Sequence, residues 1–243
     1  MDFAGVGGGG GGVMRHNANV DLMSWYMEIP PISRLYLTGA FLTTAACAVD
    51  LISPFSLYFS WELVYQGQIW RLLTSYLFFG VFSVDFLFHM YFLVRYSRLL
   101  EEGDFRGRPA HYIWMLLFGI LNISTMASYY QVNFLGSALT FMMAYVWGRR
   151  NEDVKMSFLG FLQFNAPYLP WVMLTFSILI GNAVVMDVIG ICVGHLYYFL
   201  EFVYPVMASI RNWPIKRIME PPALLHLICG THDNVLPGRP HHE

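Results

Sequence analysis

The side chains able to do chemistry in this sequence are few, and most lie in apolar surroundings. Asp85 and His89 are four residues apart, so on a helix they share one face and can pair. One His and one Asp fall short of the three or four ligands of a zinc centre, and no metal or other cofactor is expected. Asp187 and His195 sit in a long apolar stretch. Asp187 is expected near one end and partly solvated, His195 deeper as a neutral, hydrogen-bonded imidazole. Glu201 lies close enough to the other end to reach an interface. Ser137, between Gly136 and Ala138, has two readings: a nucleophile, or a small polar residue where two helices meet. Asn122, Ser124, Asn133 and Thr140 either bond between helices or line a water-filled groove. Ionisable groups in apolar spans are costly, so each is a functional candidate.

The elements that hold these residues must live in lipid. Of 243 residues, 56% are hydrophobic, 17% aromatic and only 12% charged. A soluble domain of this length needs more surface charge. Net charge is −2, which gives no field for nucleic acid. Cys47, Cys192 and Cys229 have neither metal-ligand nor disulfide-framework spacing and read as isolated thiols. No cleavable signal peptide is expected, because the first 34 residues carry the Gly7–Gly12 run and no apolar segment.

Six apolar segments are expected to span: Leu35–Leu51, Phe79–Val94, Tyr112–Tyr130, Val132–Trp147, Leu169–Gly181 and Val184–Tyr204. Several fall below the usual span of about 20 residues, which implies tilt or a thinned bilayer. Tyr168 to Pro205 would make one helix of about 57 Å, too long for one crossing, so Gly181-Asn182 is read as a tight turn. With the N-terminus in the cytosol, 13 of the 14 basic residues fall on the cytosolic side and only Arg71 on the other. That split fits the positive-inside rule and an even number of spans, with both termini cytosolic. Between the first two spans, Ser53 to Trp70 holds seven Pro or aromatic residues and one charge, Glu62. Such composition favours the headgroup region, so this first luminal loop is expected to dip into the membrane interface. Arg71, beside Trp70, either bridges to loop carbonyls or lipid phosphate or is only a topological flank.

Several strings, in this order, resemble the Derlin family of the rhomboid-like superfamily. They are Trp25-Tyr26 with Ile29-Pro30-Pro31-Ile32-Ser33-Arg34, Gln68-Ile69-Trp70-Arg71, and Arg95-Tyr96-Ser97 with Leu100-Glu101-Glu102-Gly103 and Phe105-Arg106-Gly107-Arg108. Tyr168-Leu169-Pro170-Trp171-Val172 and Gly194-His195-Leu196-Tyr197-Tyr198-Phe199-Leu200 continue the series. The resemblance runs from Trp25 to Pro205 and is closer to the Derlin-2 type.

The resemblance implies an all-α integral membrane protein, a six-transmembrane rhomboid-like helix bundle in the endoplasmic reticulum membrane. A Gly-rich N-terminus (1–24), a membrane domain (25–206) and a cytosolic tail (207–243) are expected. The implied activity is retrotranslocation of misfolded clients. Implied partners are a membrane ubiquitin ligase complex, the valosin-containing AAA ATPase, other Derlin subunits and membrane lipid. The chain has no phosphate-binding loop, so pulling work falls to that ATPase. The tail from Ala208 lacks the family's Gly-flanked Phe…Leu motif, which argues against direct ATPase recruitment. The tail is expected to be irregular, with a short interfacial stretch at Leu224–Ile228.

Rhomboid proteases share the fold and use a Ser on the fourth helix with a His on the sixth. Aligned on the ending Tyr145-Val146-Trp147, Gly136 takes the nucleophile's place and Ser137 falls one position on, a rotation of about 100°. Counting back three from the Gly190/Gly194 pair gives Asp187 where the His would be, with His195 about 12 Å further along. The resemblance thus implies a pseudoprotease, with the Gly190/Gly194 pair packing the sixth helix on the fourth. The alternative readings are a dimer seam for that pair, and an active intramembrane serine protease or a non-conduit scaffold for the whole.

Overall fold

The computed structural model describes residues 22–158, 162–214 and 217–230. Residues 1–21 of the N-terminus expected to be disordered, and the end of the tail, lie outside the described residues; residues 22–24, expected to be disordered with them, are helical instead.

The described chain is mostly helical. A short helix α1 (Leu22–Glu28) precedes α2 (Pro31–Ala48). Pro31 suits the first turn of α2, since its missing N–H is one that the turn leaves unbonded anyway. Residues 53–70 form a 3₁₀ turn (Pro54–Ser56) and α3 (Trp61–Tyr65), followed by α4 (Arg71–Leu77). Then come α5 (Val84–Leu99), extended by a π turn at Leu100–Asp104, and α6 (Pro109–Tyr130). Helix α7 (Gly136–Arg150) leads into an antiparallel hairpin of β1 (Lys155–Phe158) and β2 (Leu162–Asn165). Helices α8 (Leu169–Ile180), α9 (Val184–Tyr198), α10 (Tyr204–Ile210) and α11 (Ala223–Ile228) complete it. A π turn at Phe199–Val203 joins α9 to α10, making one rod, Val184–Ile210.

The all-α expectation needs correction. A short hairpin interrupts the otherwise helical fold: Lys155 pairs with Asn165 and Phe158 with Leu162. Met156 and Phe158 alternate with Lys155 and Ser157, and Leu162 and Phe164 with Gln163 and Asn165, but strands of four residues stand at the lower limit of what such a pattern can announce. In the tail, the stretch at Leu224–Ile228 lies within α11, which packs on α6, and the described residues between α10 and α11 are irregular.

Helix α7 is the hub. Every residue from Ala138 to Gly148 is buried, and α4, α5, α6, α8 and α9 all pack on it. Its tightest neighbour is α9. A Cβ on Gly190 would run into the Ala138 carbonyl oxygen, and one on Gly194 would come within 2.9 Å of Tyr145 Cβ. Small residues let two backbones close to this distance, where dispersion contacts are dense.

The periphery is the reverse of a soluble protein's. Leu35, Leu87, Leu121 and Leu179 are all at least half exposed, while Ser33, Ser97, Ser124 and Asp187 are buried inside. An apolar outside around a polar-containing inside is the arrangement that lipid demands. Helices Pro109–Tyr130 and Val184–Ile210 are long and apolar enough to cross a membrane. Others are shorter: α7 has 15 residues and α8 12, or about 22 and 18 Å.

Candidate functional site

At the end of the bundle that holds residues 53–70 and the α6–α7 connection, a cavity of about 380 Å³ opens between α5, α7, α8 and α9. His89, Gln131, Asn133, Ser137, Ser177, Asn182 and Asp187 provide its polar lining; Val132, Phe134 and Met186 provide apolar walls. The polar groups converge from α5, α7, α8, α9 and two connections, with Gln131 and Asn133 both on the α6–α7 connection. Asp187 stands in the first turn of α9 and Ser137 in the first turn of α7. Ser177 ends α8, and Asn182 lies in the turn where Gly181, at φ 90°, caps that helix. Positive φ is a conformation that glycine adopts without steric cost.

Three short contacts fix the site. Ser177 Oγ donates to Asp187 Oδ2 at 2.5 Å. Asn182 Nδ2 donates to Asp85 Oδ1 at 2.6 Å, joining the α8–α9 turn to α5. His89 Nε2 lies 3.5 Å from Asp85 Oδ2. Below them, the rings of Phe88 and Phe176 meet edge to face at 4.7 Å. Asp187 is 2% exposed, which corrects the expectation of partial solvation. Asn182 and Ala183 of the α8–α9 turn line the same cavity.

His195 is placed apart from this cavity. It stands on an exposed stretch of α9, because its neighbours Gly194 and Tyr197 take the packed face. Its Nδ1 and Tyr145 Oη are 2.6 Å apart. Tyr145 is eight residues along α7 from Ser137, about 12 Å. Ser137 and His195 are therefore not brought together. Ser137 does share the cavity with His89, but His89 addresses Asp85 and no hydrogen bond joins it to Ser137. Gly136 begins α7 against the Phe79 ring, which lies 2.7 Å from where its Cβ would be. Among the described residues, no group of three or more His, Cys, Asp or Glu side chains is arranged to hold a metal ion.

The remaining polar candidates divide. Asn122 Nδ2 donates to its own helix at Phe118 O, and Thr140 Oγ1 to Gly136 O. Ser124 Oγ bonds across to Tyr76 Oη at 2.9 Å. Asn133 lines both this cavity and a second one beside Tyr58, Trp61 and Glu62.

Arg71 organises the loop that borders the second cavity. Buried at 7% exposure, it donates from Nη1 to Tyr58 O at 2.9 Å and Phe55 O at 3.2 Å. Its Nε donates to Gln68 Oε1 at 2.7 Å, and the guanidinium lies 4.6 Å over the Tyr58 ring. Phe59 N donates to Asn133 O and Leu135 N to Ser75 O, tying the loop and α4 to the α6–α7 connection. Phe55, Tyr65, Ile69 and Trp70 remain mostly exposed on its outer side.

A family model described as the Der1-like family matches residues 29–213. The chain belongs to the Der1-like family. It is 46% identical over 228 residues to Derlin-2 of Oryza sativa subsp. japonica, covering 89% of each chain. It is 48% identical over 204 residues to Derlin-2.2 of Arabidopsis thaliana, covering 79% of this chain and 83% of that one. With a probable derlin-2 homolog of Dictyostelium discoideum it shares 38% over 221 residues, 87% and 85% of the two chains. Family membership and the apolar exterior make this a Derlin-type membrane protein.

Sequence reasoning missed Ser177, Gln131, Asn182 as a binding group, and Tyr145. Ser177 and Asp187 are ten residues apart on two helices, so no helical or strand period links them. Asn182 registered only as a turn residue.

Proposed function

We propose that this Der1-like protein is a non-catalytic component of endoplasmic-reticulum-associated degradation that helps misfolded polypeptides return across the membrane to the cytosol. The end of the bundle with the two cavities faces the lumen, and the Arg-rich end with residues 101–108 and 149–155 faces the cytosol, following the positive-inside rule. Six helices, α2, α5, α6, α7, α8 and the α9–α10 rod, form the spans.

One observation carries the reading: a cavity lined by seven polar side chains opens among helices of which two reach only about 18–22 Å. A bilayer core is about 30 Å thick, so it must thin around such helices or the helices must tilt. Backbone amides crossing hydrocarbon cost several kcal/mol each when unpaired. A thinner bilayer and a polar groove lower that barrier together. The loop pinned by Arg71 presents its exposed Phe55, Tyr65 and Trp70 to the luminal headgroups. Pulling is done by a cytosolic ATPase, which reaches this chain through a ubiquitin ligase complex or another Derlin subunit.

A protease reading finds no support in the geometry, because a serine nucleophile needs a base within hydrogen-bond reach and Tyr145 takes the His195 ring. Two measurements test the proposal. Photo-crosslinkers at Trp61 and Asn133 should capture a luminal misfolded client during extraction, and loss of the protein should lengthen that client's half-life. No capture at either position, with turnover still dependent on the protein, would make it a scaffold without a conduit. Labelling by a fluorophosphonate that Ser137→Ala removes would make it an enzyme.

A further inference from the structure

Asp187 is a buried carboxylate without a cationic partner. It is 2% exposed and its Oδ2 receives only the Ser177 hydroxyl. The groups facing it across the cavity are His89 of α5, Ser137 of α7 and Asn182 of the α8–α9 turn. His89 is directed at Asp85, which also accepts from Asn182. Among the described residues, no Lys or Arg forms an ion pair with Asp187. Carboxylates taken out of water are costly unless a counter-charge and hydrogen bonds meet them.

The lining fits one class of missing partner. Ser137 Oγ and the amide oxygens of Gln131 and Asn133 can accept hydrogen bonds. A Lys ammonium or Arg guanidinium is a donor with no acceptor, so it matches carboxylate, hydroxyl and amide oxygens together. Val132, Phe134 and Met186 supply apolar walls for the methylene stem that such a side chain carries. An anion would meet Asp187 head-on, and a metal ion lacks its ligand set here.

Resting on the client-binding reading above, we infer that this cavity receives a single Lys or Arg side chain borne on an apolar segment of a client, with Asp187 as its counter-charge. Clients whose spans carry an unpaired basic residue are then held by this protein in preference to spans that are wholly apolar. The preference arises because the same cation is unpaired in lipid and paired at Asp187.

The test uses the full chain in lipid nanodiscs and three fluorescent peptides, each a Leu/Ala span of about 22 residues. They differ only at a central Arg, Gln or Leu. On the wild-type protein the Arg peptide should bind at least about tenfold more tightly than the Gln peptide. Asp187→Asn should remove that difference, and Asp187→Glu should retain part of it. Equal affinity of the Arg and Gln peptides for the wild type overturns the inference, whether or not the variants fold. So does an Asp187→Asn protein that keeps the preference. If none of the three peptides binds, the client-binding reading falls and this inference with it.

Discussion

Glu101 caps a helix to which it is not connected. From the π turn after α5 its Oε2 accepts from Ser33 N at 2.8 Å and Ser33 Oγ at 2.7 Å, and its Oε1 accepts from Ile32 N at 3.0 Å. These are N–H groups of the first turn of α2, which that helix cannot satisfy itself. The carboxylate also meets the positive end of the helix dipole. Ser33 passes the connection inward to Ser97, and Ser97 to Tyr112 Oη at 2.6 Å, so α2, α5 and α6 are joined at one end by side chains alone.

Removing this cap should loosen α2. Glu101→Ala leaves two backbone donors unpaired and removes one of the two partners of the Ser33 hydroxyl, a loss of about 1–3 kcal/mol. Glu101→Gln keeps one acceptor and should lose less. Thermal unfolding in detergent, followed by a fluorophore on α2, checks the order. Equal stability of the three proteins would show that the cap contributes nothing.

The α7–α9 contact makes a graded prediction. At Gly190 the obstacle to a Cβ is the Ala138 backbone carbonyl, whereas at Gly194 it is mainly the Tyr145 side chain, with Met142 O at 3.2 Å. A backbone cannot turn aside, so Gly190→Ala should destabilise more than Gly194→Ala, each by about 1–3 kcal/mol. Gly194→Val should also impair turnover of luminal clients. Monodispersity on gel filtration and client half-life report these effects; the reverse order would mean that the helices can slide apart freely.

Arg71→Ala should free the loop. Four contacts to Phe55, Tyr58 and Gln68 disappear, and the carbonyls left behind must find water. Limited proteolysis from the luminal side should cut residues 55–69 faster, with little change in overall Tm. Arg71→Lys should be intermediate, since an ammonium lacks the planar fork. Nicking unchanged in Arg71→Ala would reduce the residue to a charge marker.

Helix length predicts a lipid dependence. Spans of about 18–22 Å, as in α7 and α8, match a thin bilayer better than one of about 30 Å. In nanodiscs of increasing acyl-chain length, Tm should therefore peak in the thinner membranes. A maximum at ordinary thickness would remove thinning from the mechanism and leave the polar groove alone.

The amino-acid sequence by itself determined much of this protein. Apolar runs interrupted at Gly181-Asn182 specify helices and the α8–α9 turn, because glycine alone adopts positive φ without cost there. The i, i+4 spacing of Asp85 and His89 and of Gly190 and Gly194 specifies shared faces, because the helical period is a local property of the chain. The lack of charge specifies lipid.

What needed the tertiary structure was every partnership between elements. Ser177 meets Asp187, Asn182 meets Asp85, Glu101 meets Ser33, and Tyr145 rather than Ser137 meets His195. Asp187 proved buried rather than partly solvated, and His195 stands on an exposed face, because depth along a span does not say which way a helix face turns. That rotation is set by how closely α9 lies on α7, which depends on the shapes of both helices at once.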